Sequence, residues 1–140
     1  MEIATRPFLV LFALCLLVNG CSQPSHNTGV VSFDDGQPVR SGSVEFRSLG
    51  NTGRYASRID EQGGFALLDQ SGKPACPPGE YEVVVVQIVL TEDLAAGAHT
   101  HGRTVPRRFA DYYTSGLRVN VPTEPLEALE VKLPLLPSDH

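Results

Sequence analysis

The sequence predicts an all-β domain, a seven-stranded antiparallel β-sandwich. Short runs in which apolar and polar residues alternate recur along the chain, which is the period of a half-buried strand. Turn residues separate these runs, and the 140 residues include 13 glycines and 11 prolines. No run rich in Leu, Ala, Glu and Lys is long enough for a helix that packs on a sheet. The length suits one domain.

Four candidate strands lie in the first half of this domain. Val30–Phe33 runs into an Asp-Asp-Gly turn, and Gly42–Arg47 then places its apolar side chains on one face and its polar ones on the other. Arg54–Ile59 follows a polar loop, and the turn Asp60–Gly64 leads into the short strand Phe65–Leu67. This spacing of strands and turns is typical of a β-sandwich.

Three further strands complete the sandwich. Glu80–Leu90 is rich in Val and Ile and apolar on both faces, so we expect a central strand covered at least partly on each side. Its Tyr81 is expected to bury the ring and to bond its hydroxyl to a nearby backbone carbonyl. Leu117–Val121 and Leu129–Leu133 alternate strictly. Two long loops, 69–79 and 91–105, separate these strands from their neighbours.

Residues 1–20 have the organisation of a secretory signal peptide. A polar, Arg-bearing start is followed by eleven consecutive apolar residues at positions 8–18. A membrane-spanning helix needs about 20 such residues, whereas this length is typical of a signal-peptide h-region. The alternative is a buried strand or helix of the domain, although a core element usually shows a polar face and this run shows none.

The segment after the apolar run resembles a bacterial lipobox, the cleavage signal of lipoproteins. Gly20 directly before Cys21, and Val18 at position −3, fit that pattern, whereas Asn19 stands where Ala, Ser or Thr is usual. The resemblance implies that Cys21 becomes the lipidated N-terminus of the mature chain, anchored in a membrane by several acyl chains such as palmitate. Ser22 is compatible with sorting to the outer membrane. Residues 21–28 are polar and predict a flexible tether.

The cysteines allow two interpretations. If Cys15 is removed with the signal peptide and Cys21 is lipidated, Cys76 has no disulfide partner. Cleavage elsewhere would instead permit a Cys21–Cys76 disulfide in an oxidising compartment. Cys76 has only Lys73 as a basic neighbour in sequence, so we expect an apolar filler or a chance exposed thiol rather than a reactive nucleophile.

The charge of the chain argues against a nucleic-acid partner. The net charge is −5, and it stays −5 without residues 1–20, because Glu2 and Arg6 cancel. The sequence contains no basic stripe of the kind that displaces counterions from a phosphate backbone.

Four segments carry motifs that occur together in one family of domains. They are VVSFDDGQPVRSGSVEF, DEQGGFAL, PPGEYEVVV and VPRRFADYYTSGLRVNV. In this order they resemble the transthyretin-like, carboxypeptidase regulatory-like domains, and the last resembles a segment of small bacterial lipoproteins in this group. Phe109 stands there at a position usually occupied by Tyr. The resemblance runs from about Gly29 to Leu133.

The resemblance implies a prealbumin-like, Ig-like sandwich over residues 29–134, followed by a tail at 135–140. It implies no settled activity, because such folds serve many functions. Transthyretin-like hydroxyisourate hydrolases end in Tyr-Arg-Gly-Ser, and this chain does not. Related pilin domains form an isopeptide from a lysine in the first strand, whereas the two lysines here are Lys73, in a loop, and Lys132, in the last strand.

Two groups of residues are candidate binding sites. His99 and His101 share one side of an extended segment and could bind a metal with Asp93 or Asp111, although histidines in such a Gly/Ala-rich loop are more often solvated. The second group consists of Arg103, Arg107, Arg108, Tyr112 and Tyr113. It could recognise an anionic or sugar ligand. Alternatively, these aromatic rings cover one end of the sandwich and the arginines pair with surface acids.

From these observations we expect a non-catalytic, membrane-anchored lipoprotein of the bacterial cell envelope, with no cofactor and no catalytic residues. Its sandwich would act as a structural or protein-interaction module and contact another envelope protein or a glycan through loops 69–79 and 91–116. The alternative is a carbohydrate- or metal-binding accessory module. A small hydrolase has no supporting motif in the sequence.

Overall fold

A computed structural model describes residues 26–88 and 102–137 of the chain. The predicted signal peptide, the predicted lipidation site Cys21, and the metal-ligand candidates His99 and His101 therefore lie outside the described residues. The seven predicted strands are all present: β1 (Thr28–Phe33), β2 (Ser43–Ser48), β3 (Arg54–Arg58), β4 (Gly64–Ala66), β5 (Gly79–Val86), β6 (Leu117–Val121) and β7 (Leu129–Leu133).

The strands form two sheets, with the orders β4-β1-β7 and β3-β2-β5-β6. This confirms the all-β prediction. Four of the five strand pairings are antiparallel, as expected, but β1 and β7 pair in parallel, from Gly29 opposite Leu129 to Phe33 opposite Leu133. The wholly antiparallel prediction is therefore wrong for this pair. Parallel strands need a long connection, and here the other five strands supply it.

The two sheets pack face to face around one apolar core. The largest fully buried side chains are Tyr81, Phe33, Phe46, Phe109, Leu67, Leu129 and Leu133. The Phe46 ring lies 5.8 Å from Phe65 and 5.8 Å from Tyr81 between centroids, at tilted angles that aromatic pairs favour. The Tyr81 hydroxyl donates to the Pro77 carbonyl at 2.6 Å, which confirms the expected backbone partner.

Strand β5 lies between β2 and β6 and is covered at least partly on both faces, as predicted, although it is shorter than expected. Tyr81, Val83 and Val85 face the core, and Val84 on the opposite face is also buried. The strand ends at Val86 instead of Leu90, and Ile88 is 80% exposed. The apolar run in the sequence therefore continues past Val86, the last residue of β5 that pairs with another strand.

The folded region extends beyond both boundaries expected from the sequence. His26 is buried and Asn27 bonds to the backbone of Leu67, so the predicted tether at 21–28 overlaps the domain. At the other end, Leu135 packs against the core and its N–H donates to the Asp34 carboxylate at 3.2 Å. The predicted tail at 135–140 therefore begins inside the folded region.

A short helical segment directly precedes β6 in the chain. A 3₁₀ turn, Arg107–Ala110, is followed by the single-turn helix α1 (Tyr112–Ser115). The Asp111 carboxylate caps α1 by accepting from the Tyr113 N–H at 2.7 Å. The Ser115 hydroxyl donates to the Val83 carbonyl at 2.5 Å, which attaches α1 to β5. Among the described residues, no helix has the length and apolarity needed to cross a membrane.

Two turns of the domain have the same hydrogen-bonding pattern. In the packed turn (residues 60–64), the Asp60 carboxylate accepts from the backbone N–H groups two and four residues later, at 2.9 and 2.7 Å. In the open turn (residues 69–73), the Asp69 carboxylate does the same at 2.8 and 3.0 Å. Gly63 and Gly72 occupy equivalent positions with φ of 83° and 80°. The predicted long loop 69–79 therefore begins with an ordered turn.

Candidate functional site

The outward face of the four-stranded sheet carries a row of charged side chains, one from each strand. The strand register places Arg54 of β3 opposite Arg47 of β2, Arg47 opposite Glu82 of β5, and Glu82 opposite Arg118 of β6. Glu45 lies two residues before Arg47 on the same face, because side chains alternate along a strand. These five residues are called the charged shelf below.

Glu82 holds two of the shelf arginines. One of its oxygens accepts from Arg47 at 2.5 and 3.2 Å, and the other lies 3.3 Å from Arg118. The hydrogen bond to Glu82 is the main reason why the pKa of the Arg47 guanidinium is raised. Arg47 is therefore a fixed cation at the centre of the shelf, whereas Arg118 makes one longer contact and its side chain is 64% exposed.

Tyr112 of α1 covers the central arginine. The Arg47 guanidinium carbon lies 3.9 Å from the centroid of the Tyr112 ring, a cation–π geometry. The Tyr112 hydroxyl donates to a Glu45 oxygen at 2.8 Å, and Arg54 contacts the same oxygen at 3.4 Å. Burial, followed by the bond to Glu45, raises the pKa of Tyr112, so this hydroxyl stays protonated at neutral pH. Tyr112 thus fixes two shelf residues in place.

Tyr113 lies beside the shelf and presents its ring to solvent. Its side chain is 96% exposed, and it directly follows Tyr112 in α1. Its backbone is fixed by the Asp111 cap of α1. An exposed aromatic ring on a fixed backbone is a suitable surface for stacking against a ligand.

The structure separates the arginine and tyrosine residues that the sequence grouped together. Arg103 pairs with Asp35 at 2.7 Å, and its guanidinium lies 5.1 Å from the Phe33 ring centroid. Arg108 bonds to the Pro134 carbonyl and stacks on Phe109. Both arginines thus contact residues of the domain itself.

Of the residues in that sequence group, the two tyrosines belong with the charged shelf. Tyr112 contacts Arg47 and Glu45, and Tyr113 is the next residue of the same helix. Arg107 is exposed on the 3₁₀ turn. Of the ligand site predicted from the sequence, therefore, only the two tyrosines lie next to the strand residues of the charged shelf.

The five shelf residues were missed as site candidates by sequence reasoning. The signal that could have found them is the polar half of the alternation in four strands, which places Glu45, Arg47, Arg54, Glu82 and Arg118 on outward faces. The strand order that brings them together depends on contacts between distant segments.

A shallow groove lies at one edge of the same sheet. It has a volume of about 320 Å³ and is lined by Thr52, Gly53, Arg54, Tyr55, Asp69, Gln70 and Ser71. The open turn therefore forms one wall of the groove. Burial raises the pKa of Tyr55, whose ring packs edge-on against Tyr81.

Two further predictions concern a cysteine thiol and a metal site. Cys76 is a free thiol, 1% exposed, and burial raises its pKa to about 11, so at neutral pH it is a protonated, apolar filler. No three His, Cys, Asp or Glu side chains in residues 26–88 and 102–137 come close enough to hold a metal ion. His99 and His101 lie outside these ranges, so a site there stays a prediction.

Comparison with known proteins identifies no relative: no family model, no curated protein and no solved structure matches the chain.

Proposed function

We propose that this protein is a lipoprotein of the bacterial cell envelope, anchored through acylated Cys21, with a non-catalytic β-sandwich that acts as an interaction module. Residues 1–20 would be the signal peptide. The membrane would be the outer membrane or one bordering the periplasm. The transthyretin-like, carboxypeptidase regulatory-like resemblance is part of this proposal, and the arrangement of seven strands in sheets of three and four agrees with it.

The position of Cys21 supports the anchor. The part of the domain that the structure describes begins at His26, five residues after the cysteine. An extended chain covers at most about 3.5 Å per residue, so this spacer reaches roughly 17 Å. A domain on so short a spacer would stay next to the lipid headgroups and would face other components of the same membrane.

The charged shelf is the observation that carries the interaction function. Arginine and tyrosine side chains are enriched where proteins recognise ligands and partners. Here three arginines lie in one row on a sheet face, Tyr112 stacks on the central arginine, and the exposed Tyr113 follows it in α1. A binding function on this face requires no chemical step.

Metabolic labelling tests the anchor. Cells expressing the full chain are grown with an alkyne fatty acid, and the wild type is compared with Cys21→Ser. We expect label and membrane recovery in the wild type and the loss of both in the variant. Cys76→Ser is the matched control, because it removes the other cysteine outside the signal peptide and should keep the label. Equal labelling of wild type and Cys21→Ser would contradict the lipoprotein proposal.

Capture from envelope membranes tests the interaction function. Crosslinked wild-type chain is compared with a shelf variant, which carries Arg47→Ala on the shelf and Tyr112→Ala on the helix that covers it. It is also compared with a chain carrying Lys132→Ala on the outward face of the other sheet. We expect one envelope component to be retained by the wild type and the Lys132 variant and lost by the shelf variant. Equal recovery from all three chains would show that the shelf is not the interaction surface.

A carbohydrate-binding accessory module is the second candidate. The observation that favours it is the ring of Tyr113, which is 96% exposed beside charged hydrogen-bonding groups. A glycan array probed with wild type and with Tyr113→Ala distinguishes this function from protein binding, since saturable glycan binding that depends on the ring is expected only for the second candidate.

A further inference from the structure

We propose that the charged shelf binds an acidic polysaccharide, a glycan chain that carries carboxylate groups. This inference rests on the second candidate of the proposed function, the carbohydrate-binding module, because it names the ligand class of that module, and it assigns the contacts to strand residues that no sequence motif singled out.

The shelf is locally cationic on an acidic chain. Its row of three arginines and one glutamate, together with Glu45, has a net charge of +1, whereas the whole chain has a net charge of −5. A cationic area of this kind attracts an anionic ligand, while the acidic remainder of the surface repels it. The ligand would therefore be directed to one face of the sandwich.

Two of the three arginines are available to a ligand. Arg54 and Arg118 have side chains that are 53% and 64% exposed, and each makes one contact of 3.3–3.4 Å to a shelf carboxylate. Exposed ion pairs of this kind contribute only about 0–1 kcal/mol, so exchanging one of them for an external carboxylate costs little. The planar guanidinium group can bind that carboxylate through two parallel hydrogen bonds.

The spacing of the two arginines favours an extended ligand. Arg54 and Arg118 lie on the two outer strands, three strand spacings apart, which is about 14 Å. A single small anion cannot contact both. A linear chain with repeated carboxylates can cross the strands and contact both, and the two contacts then reinforce each other because they are covalently linked.

The chemistry of the shelf favours a glycan over an acidic protein. The centre of a protein interface is usually apolar, whereas the shelf consists of charged groups, and an exposed tyrosine ring, Tyr113, lies on the helix that covers it. A tyrosine ring can stack on the C–H face of a sugar while the guanidinium groups bind its carboxylates. Tyr112 covers only the central arginine, so the side chains of Arg54 and Arg118 at the two ends of the row stay open to a ligand.

Binding of the full-length chain in detergent to polygalacturonate tests the proposal, with the methyl-esterified polymer as the uncharged comparison. We expect saturable binding to the acid form that weakens as salt is raised, and at least tenfold weaker binding to the ester. Equal affinity for the two polymers, or no saturable binding to the acid form, would overturn the proposal.

The variant pair Arg54→Gln/Arg118→Gln locates the site. We expect it to weaken binding at least tenfold, because both exchangeable contacts are removed. The matched control, Arg40→Gln/Lys132→Gln, removes two positive charges from exposed positions off the shelf and should change the affinity less than twofold. Tyr113→Ala should also weaken binding, and Tyr113→Phe should restore it. Thermal unfolding of each variant confirms that it is folded.

Two outcomes separate this proposal from the one on which it rests. If the shelf variant and the charge control lose affinity equally, binding is non-specific attraction and the glycan proposal is wrong, while Cys21 labelling still decides the anchor. If the shelf variant instead loses an acidic envelope protein and keeps polygalacturonate, the interaction module stands and the ligand class named here is wrong.

Discussion

The packed turn and the open turn share one backbone geometry in two different surroundings. In both, the first residue bonds its N–H to the carbonyl four residues later at 2.9 Å, and the glycine N–H bonds back to the carbonyl of the aspartate. An added Cβ at Gly63 would lie 2.5 Å from the Val31 carbonyl oxygen, whereas at Gly72 it would have no atom within 4 Å. The spacing of aspartate and glycine thus determines the backbone geometry of each turn. Contact with a neighbouring strand determines how strongly the stability of the domain depends on that turn.

The two turns also differ in what they contact. The packed turn joins β3 to β4, and its Gly63 carbonyl accepts the Val31 N–H of β1 at 2.8 Å. The open turn contributes Asp69, Gln70 and Ser71 to the wall of the groove at the sheet edge. The same turn geometry therefore supports the fold in one place, and in the other presents side chains to solvent beside Arg54.

The largest expected effect is that of an added methyl group at the two glycines. Both positions have positive φ, so Gly→Ala costs about 1–2 kcal/mol of unfolding free energy at either site. Gly63→Ala must in addition displace the Val31 carbonyl, which accepts from Val39 at 3.0 Å, so we expect a total loss of about 3 kcal/mol or more. Gly72→Ala should show only the cost of placing alanine at a positive φ, about 1–2 kcal/mol. Urea unfolding of the two variants measures both, and equal losses would mean that the packing of the turn has no energetic weight.

A smaller difference is expected for the two aspartates. Asp60→Ala leaves the N–H groups of Gln62 and Gly64 without their acceptor, and Gly64 is the first residue of β4. We expect a loss of about 1–2 kcal/mol, similar to the loss of a helix cap. Asp69→Ala should cost less, because Ser71 and Lys73, whose N–H groups the Asp69 carboxylate accepts, are exposed, whereas Gly64 is half-buried at the start of β4. Chemical denaturation of each variant and of the Asn replacements, which keep an acceptor oxygen, would reveal a reversed order if this comparison is wrong.

The smallest effect is a pH dependence of the open turn. The side chain of Ser71 and the backbone of Lys73 donate to the Asp69 carboxylate and hold its pKa below the usual value. A lowered folded-state pKa stabilises the protein above the unfolded pKa of about 3.9, and this contribution is lost as the pH falls through the folded pKa. NMR titration should place Asp69 below that value, and Ser71→Ala should raise it. A normal pKa in the wild type would contradict the prediction.

The strands could be predicted from the sequence because each one alternates on its own. Val44 and Phe46 point inward and Glu45 and Arg47 outward whatever lies next to them, so local pattern suffices. The packed turn was expected for the same reason. The open turn has the same Asp-x-x-Gly spacing, but the prolines that follow it favoured an irregular loop, and the pattern was missed.

The pairings between distant segments could not be predicted. Nothing local in β1 indicates that β7 lies beside it in parallel, and nothing in Tyr112 indicates contacts with Arg47 and Glu45 on another strand. Such contacts depend on strand order, which the whole core determines. For the same reason the sequence suggested only Tyr112 and Tyr113, on the helix next to the shelf, and the shelf itself became visible only in the structure.

The place of β1 in its sheet has a mechanical consequence. β1 follows directly from the segment that contains Cys21, and it lies between β4 and β7, bonded on both sides. If the protein is anchored at Cys21 and held at the shelf of the other sheet, tension enters the domain along the axis of β1. The hydrogen bonds to β7 then share the force in shear and cannot break one at a time from an edge. The N-terminal strand is thus suited to transmit a pull from the membrane without unravelling.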